Sequence, residues 1–381
     1  MLDPNIAFLR KSGLIVLTIL MVLPAIFLYY EYTHVSTVVE KISVEKNIKK
    51  RYEDIRVDLL LPIPGTVRKI ILNKKGDRAY VASFGQGVHI LDLSTPMHPK
   101  VVTQFKYGLA YDSAVDIILS KDEKTLYVLD MKHGLYSLNV RDVTAPKLLS
   151  YVKCEGAEHL SLSLDEHRIY VSGKFGVLII DNANTMNLVG RLHYLPDLHK
   201  YVVGRYKPYL QYAGFEVITD MFEVENNILY LMSQTPDIVD ISNLLDIKMI
   251  TRFSILGNAK QVTVSKNRQR LYIASGHSGI EIFEIADYRH PKPLGGHNTK
   301  GLAINSTISK DGKILFVSNL NRGVELFDIT YPYDPKFVTS IEKPPVKKGQ
   351  VHATALSPDN NVLYIAYGVI GLGVVDLSPH K

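Results

Sequence analysis

Six polar residues recur at a similar distance along this 381-residue chain: Lys69, Asp116, His159, Asp220, Gln261 and Asn305, with Ala353 at the seventh place. Each precedes a short run of mostly apolar residues, Ile70-Ile71-Leu72 after Lys69 and Ile117-Ile118-Leu119 after Asp116. Two carboxylates, an imidazole, an ammonium and two amides brought to one place could recognise a polar ligand. Within that set, Asp116, His159 and Asp220 are the residues able to act as acid and base. The row just before it, Arg68, Val115, Glu158, Thr219, Lys260, Ile304 and His352, is mixed in character. Whether either row can do anything depends on the elements that must bring seven distant places together.

Those elements are legible as a repeat. An aromatic or aliphatic core phrase returns seven times, each time followed by a turn and an apolar run that usually ends in Asp: Tyr80 to Asp92, Tyr127 to Asn139, Tyr170 to Asp181, Tyr230 to Asp240, Tyr272 to Glu284, Phe316 to Asp328 and Tyr364 to Asp376. Successive aromatics lie 47, 43, 60, 42, 44 and 48 positions apart, room for four short strands and three turns. Asp116 to Tyr151 shows the layout: a strand to Ser120, a polar turn at Lys121 to Lys124, a strand over Thr125 to Asp130, a turn at His133-Gly134, a strand over Leu135 to Val140, and a last strand from Lys147. The Ser120-Lys121-Asp122-Glu123 turn recurs in other units, for instance as Ser309-Lys310-Asp311-Gly312, and such residues suit tight turns. A four-stranded sheet of this length cannot bury its apolar faces alone. It must stack on its neighbours and close into a ring. The fold predicted is all-β, a seven-bladed β-propeller of four-stranded antiparallel blades, with the first strands bordering a central channel and the polar row at its mouth.

The last unit lacks a fourth strand after Asp376-Leu377, whereas Ile55 to Leu61 is a spare extended segment ahead of the first. The N-terminal segment is therefore expected to complete the seventh blade and leave no open edge. Gly87-Val88-His89-Ile90-Leu91-Asp92-Leu93-Ser94-Thr95-Pro96 and Gly323-Val324-Glu325-Leu326-Phe327-Asp328-Ile329-Thr330, each followed by proline, resemble the LVIVD repeat of bacterial and archaeal surface-associated β-propeller proteins. The resemblance covers most of residues 53 to 377 and is strongest in the first, fifth, sixth and seventh units. It implies an architecture and a surface or envelope setting, and it carries no set of catalytic residues to transfer.

The fourth unit departs from the pattern, with Pro236 in the glycine turn and an insertion over 195–212 that accounts for the 60-residue spacing. Its tyrosines, with Lys200, Arg205, Tyr206 and Lys207, have the composition of an interface. Placed just before a first strand, it is expected to rise over the channel mouth, either as a lid or recognition loop or as plain loop elaboration. His193 and His199 with Asp197 could hold a metal, although solvent-facing loop polarity explains them as well. No Cys-x-x-Cys, His-Glu-x-x-His, Gly-x-Ser-x-Gly or phosphate-cradling loop occurs, so no metal, cofactor or catalytic residue is assigned.

Gly13 to Tyr30 is an uncharged stretch that would span roughly 27 Å as a helix, close to the hydrocarbon thickness of a bilayer. Arg10 and Lys11 precede it, and Tyr29, Tyr30 and Tyr32 suit an interfacial belt, so residues 1–12 are expected in the cytoplasm. A cleaved secretory signal is the rival reading, but Phe27-Leu28-Tyr29-Tyr30-Glu31-Tyr32 lacks a small-residue cleavage pattern. Residues 31–52, with Val35, Val38, Val39 and Ile42 at helical spacing, read as a stalk, and 53–381 as the propeller in the periplasm or at the cell surface.

The lone Cys154 reads as a packed strand-end residue, and a ring of this size needs no disulfide. A net charge of +6 with basic and acidic residues interspersed disfavours nucleic-acid binding. Two functions follow. One is a membrane-anchored, non-catalytic binding or scaffold module for an envelope protein or polymer, with Lys69, Asp116, His159, Asp220, Gln261, Asn305, Arg205 and Tyr206 as its binding residues. The other is an envelope hydrolase or lyase with its active site at the same mouth. Under either reading the mouth residues are expected to be solvated, so that replacing them changes binding more than stability. The oligomeric state has no signature in the chain.

Overall fold

In the computed structural model the described residues are 41, 43–107, 111–173, 175–195, 200–204, 218–345 and 349–379. They fall into two compact units, Met1–Arg51 and Tyr52–Lys381. In the first, residues 43–51 are helical. Among the described residues no helix is long and apolar enough to cross a membrane, and the Gly13 to Tyr30 stretch and Val35, Val38, Val39 and Ile42 lie outside them.

The second unit is a seven-bladed propeller of antiparallel sheets. Within a blade the second and third strands are apolar throughout because both faces of each sheet are covered by neighbouring blades. In blade one, Arg78–Phe84 and Gly87–Asp92 are buried along nearly their whole length, whereas the outer strand Lys100–Phe105 is largely exposed. Apolar clusters lie between adjacent blades, and one of them, with Val81, Leu91, Tyr364 and Val374, joins blade one to blade seven.

The recurrent aromatics pin blade to blade. Tyr80, Tyr170, Tyr230, Tyr272, Phe316 and Tyr364 are fully buried, and a buried tyrosine needs a partner for its hydroxyl. The Tyr364 hydroxyl donates to the Pro96 carbonyl of blade one (2.9 Å) and that of Tyr230 to the Tyr288 carbonyl of blade five (3.1 Å). The Tyr127 hydroxyl accepts from Asn182 Nδ2 of blade three at 2.8 Å.

The recurrent Asp has a local task. Its carboxylate caps the turn after the third strand by accepting the N–H two residues on, as in Asp92 with Ser94 (2.8 Å), Asp240 with Ser242 (2.8 Å), Asp328 with Thr330 (2.9 Å) and Asp376 with Ser378 (2.8 Å). In the turn after the first strand, Ser120 Oγ donates to Asp122 and accepts from Thr125 N, while Glu123 sits at φ 60°. The glycine opening the third strand is required by close approach. Gly87 lies at φ 77° and Gly371 at φ 112°, and a Cβ there would strike the carbonyl oxygens of Phe105 and Leu61.

Closure takes place as the sequence predicts, with a shorter strand. Leu59–Leu61 pairs with the third strand of blade seven, Leu372–Asp376, in the register Leu59↔Val374 and Leu61↔Leu372. Asp58 extends the pairing through its N–H to the Val374 carbonyl (2.9 Å) and its carboxylate to Asp376 N (2.8 Å).

Blade three corrects the expected pattern. It has five strands, because Asn187–Leu195 continues into a hairpin whose second arm, Lys200–Gly204, pairs along its outer edge from Leu195↔Lys200 to Arg191↔Gly204. The first part of the 195–212 insertion thus extends the third blade at the rim. Blade three can accept a further strand because its fourth strand is an open edge.

Deleting residues 53–61 removes the strand that closes blade seven and uncovers Leu372–Asp376. Thermal unfolding of the truncated chain is expected roughly 5–10 °C below that of the intact chain, with aggregation on heating; an unchanged Tm would show that the ring does not depend on this strand.

Candidate functional site

Each inner strand begins with a bulge at the same place. In blades one, two, three and six the pairing with the second strand skips Arg68, Val115, Glu158 and Ile304, so two residues oppose one. In blades four, five and seven the N–H groups of Thr219, Lys260 and His352 reach the carbonyls of Met232, Ala274 and Ala366, which already face Asp220, Gln261 and Ala353. A bulge re-aims side chains. It delivers both rows of the sequence analysis to the channel.

The rows do different things. Lys69, Asp116, His159 and Gln261 border both an upper cavity of about 290 Å³ and a lower one of about 420 Å³, and form a collar between them. Asp220 faces the lower cavity and Asn305 the upper one. Arg68, Glu158, Lys260 and His352 line the upper cavity only, a vestibule above the collar. Below it the cavity is bordered by the inner strands at Ile117, Leu160, Met221 and Val262, residues that belong to the apolar clusters between blades.

Asp116, Asp220 and Gln261 are bound into the fold, against the expectation of solvated mouth residues, whereas the side chains of Lys69 and His159 stay 27% and 30% exposed. Asp116 is 4% exposed. Its Oδ1 accepts from Ile117 N at 2.9 Å and lies 3.4 Å from Lys69 Nζ of blade one. Its Oδ2 accepts from Leu160 N of blade three at 3.1 Å and lies 3.8 Å from His159 Nδ1. Asp220 repeats the pattern, accepting from Met221 N and from Val262 N of blade five, both at 2.8 Å. Gln261 Oε1 in turn accepts from Ser306 N of blade six at 2.9 Å. Asp116, Asp220 and Gln261 therefore each satisfy an N–H of the next blade's inner strand.

Electrostatics reinforce this division. Burial works against the Lys69 ammonium, but Asp116 and Asp220 outweigh it and hold its pKa above the ordinary lysine value. Burial raises the Asp220 carboxyl above the usual aspartate range, against the opposing pull of His159, Lys69 and its two N–H donors. In the vestibule, burial lowers the Arg68 pKa with Glu158 opposing, and burial together with Arg68 brings His352 down to about 4. His352 is thus neutral at pH 7.

Other expectations divide as follows. Arg205, Tyr206, Asp197 and His199 lie outside the described residues, as does the side chain of His193. Among the described residues no group of three or more His, Cys, Asp or Glu is placed to hold a metal. Cys154 is buried, which pushes its thiol up to about 12 and keeps it protonated. Arg68, Glu158, Lys260 and His352 are recognised in the sequence as part of a mixed row but are not chosen there as binding residues. Their signal was position alone, one place ahead of the polar row.

The family model described as the LVIVD repeat matches residues 64–106, the whole of blade one. This chain fits the LVIVD-repeat β-propeller family. No curated protein matches it closely enough to serve as a relative. Among solved structures, the β-propeller domain of Myceliophteria thermophila Cps50 (Swd1) is 13% identical with a TM-score of 0.68, over 84% of this chain and 99% of that one. A chain of the mitotic checkpoint complex is 12% identical with a TM-score of 0.61, over 84% of this chain and 91% of that one. At such identities the likeness is one of fold, and a β-propeller suits a binding or scaffold module.

Two outcomes test this description of the LVIVD-repeat channel. Asp116→Ala leaves the N–H groups of Ile117 and Leu160 and the Lys69 ammonium without their acceptor, and is expected to cost about 2–4 kcal/mol in urea unfolding, with Asp116→Asn costing less. A loss below about 0.5 kcal/mol would mean the collar is not structural. For His352 the folded state disfavours the proton, so its contribution is complete above the ordinary histidine pKa of about 6.5 and is lost as pH falls toward 4. His352→Gln should flatten the stability profile over that window by up to about 3 kcal/mol; an identical acid limb in both proteins would contradict the assignment.

Proposed function

We propose that this chain is a membrane-anchored, extracytoplasmic binding module that engages an envelope protein or polymer over the mouth of its channel. The observation that carries this reading is the division of labour between the two rows. Asp116, Asp220 and Gln261 are consumed by inter-blade hydrogen bonds, whereas the side chains of Arg68, Glu158 and Lys260 make no hydrogen bond or ion pair among the described residues. Uncommitted charges around a cavity suit recognition. An enzyme at the same mouth would need a free acid and base, and Asp116 already holds two N–H groups and a lysine. The anchor rests on the uncharged stretch from Gly13 to Tyr30, with Arg10 and Lys11 before it.

Two measurements test the two parts. Co-purification of the intact chain from detergent-solubilised membranes should recover a partner with the wild type. The Arg68→Glu, Lys260→Glu double variant, folded to the same Tm, should recover it at least about tenfold less; equal recovery overturns the mouth as the binding surface. Protease added to spheroplasts should digest the propeller, and a protected propeller or a mature N-terminus near residue 35 overturns the anchor.

A further inference from the structure

The vestibule charges are segregated around the ring. Blades five and one contribute Lys260 and Arg68, with the neutral His352 of blade seven between them, blade three contributes Glu158, and Val115 and Ile304 are apolar. His352 Nε2 is buried with no hydrogen-bond partner, and a neutral imidazole nitrogen in that state can accept or donate. A simple anion entering here would meet Arg68 and Lys260 favourably but Glu158 unfavourably. A simple cation would meet the reverse. A molecule carrying both charges satisfies both sides.

Resting on the reading of the mouth as a binding surface, we propose that the vestibule is a site for a small zwitterion, with its anionic group on the side of Arg68, Lys260 and His352 and its ammonium toward Glu158. Arg68 supplies the planar fork that matches a carboxylate or phosphate. The volume of about 290 Å³ lies at the small end of ligand pockets and suits a molecule of dipeptide size. The collar closes the floor of the site. Its carboxylates and the Gln261 carbonyl oxygen are engaged by backbone N–H groups, so the charges left to read the ligand from above are those of the vestibule.

Titration calorimetry of the full chain in detergent, with L-alanyl-L-alanine and O-phosphoethanolamine as probes, tests this. One of the two is expected to saturate a single site, and which one binds tighter assigns the anionic group as carboxylate or phosphate. Its one-charge analogues (N-acetyl-alanyl-alanine and alanyl-alanine amide, or ethyl phosphate and ethanolamine) should bind about tenfold or more weakly. Glu158→Gln should weaken the zwitterion about tenfold while the N-acetylated or ethyl phosphate probe, relieved of a like charge, binds at least as tightly as before, which also shows the variant is folded. Arg68→Gln should weaken every anionic probe. Absence of binding by both zwitterions, or binding that Glu158→Gln and Arg68→Gln leave as it was, overturns the proposal. If partner recovery still depends on Arg68 and Lys260 in that case, the larger reading of the mouth stands. Zwitterion binding with partner recovery indifferent to the same residues would keep this site and remove the mouth as a partner surface.

Discussion

The unpaired N–H groups of the inner strands are the constraint on which the rest of this structure depends. Each blade's first strand has a partner on one side only, and its other edge faces the channel beside the next blade. Backbone groups placed so near the axis must find acceptors. The chain supplies them from the preceding blade, with Asp116, Asp220 and Gln261 reaching Leu160, Val262 and Ser306. At the other end of the inner strands the turns do the same in the opposite sense. Glu123 accepts from Lys74 N and Glu166 from Lys121 N, so a residue held in the left-handed conformation reaches back one blade. The ring is thus stitched at both ends of its inner wall, and apolar packing between the blades fills the space between the stitches.

This constraint decides what remains for function. A polar residue on a channel wall is usually read as a candidate for binding, but here the conspicuous row is the one the backbone needs. The bulge at the start of each inner strand makes room for a second row one residue earlier, and that row is free of structural duty in Arg68, Glu158 and Lys260. A bulge costs one ladder position and in return turns a side chain toward the axis. The inter-blade bond of Gln261 and the vestibule lining of Lys260 thereby fall on adjacent residues of the same strand.

Most of the architecture was legible in the sequence because it is written in local rules repeated seven times. Turn residues and the Asp cap act within a few positions and the buried aromatic recurs once per blade, so the period exposes them. Closure was legible too, since an unpaired segment ahead of Arg68 and a missing strand after Leu377 have one economical solution. The division between the two rows was not, because it depends on which N–H of the next blade lies opposite each carboxylate, and that is set by the bulge rather than by residue type. The fifth strand of blade three was also hidden. Lys200–Gly204 has strand composition, yet the 60-residue spacing between Tyr170 and Tyr230 reads equally as a loop over the mouth or as an extra edge.

Blade four shows how far the repeat can be altered while the inner wall is kept. Pro236 stands where other blades use glycine, so the turn there cannot make the same close approach. Its place is secured by a cross-strand pair: Asp237, about 1% exposed, opposes Arg252 of the outer strand, which binds it through Nε at 2.6 Å and Nη2 at 2.8 Å. Phe253 N reaches the Pro236 carbonyl at 3.1 Å and completes the hairpin end. A bidentate pair with one buried member adds little net stability over apolar packing, but it admits a single register. That register is what the inner wall requires. With the outer strand fixed against Asp237, Ile228–Met232 keeps its place, Asp220 stays opposite Met232, and its carboxylate remains within reach of Val262 N.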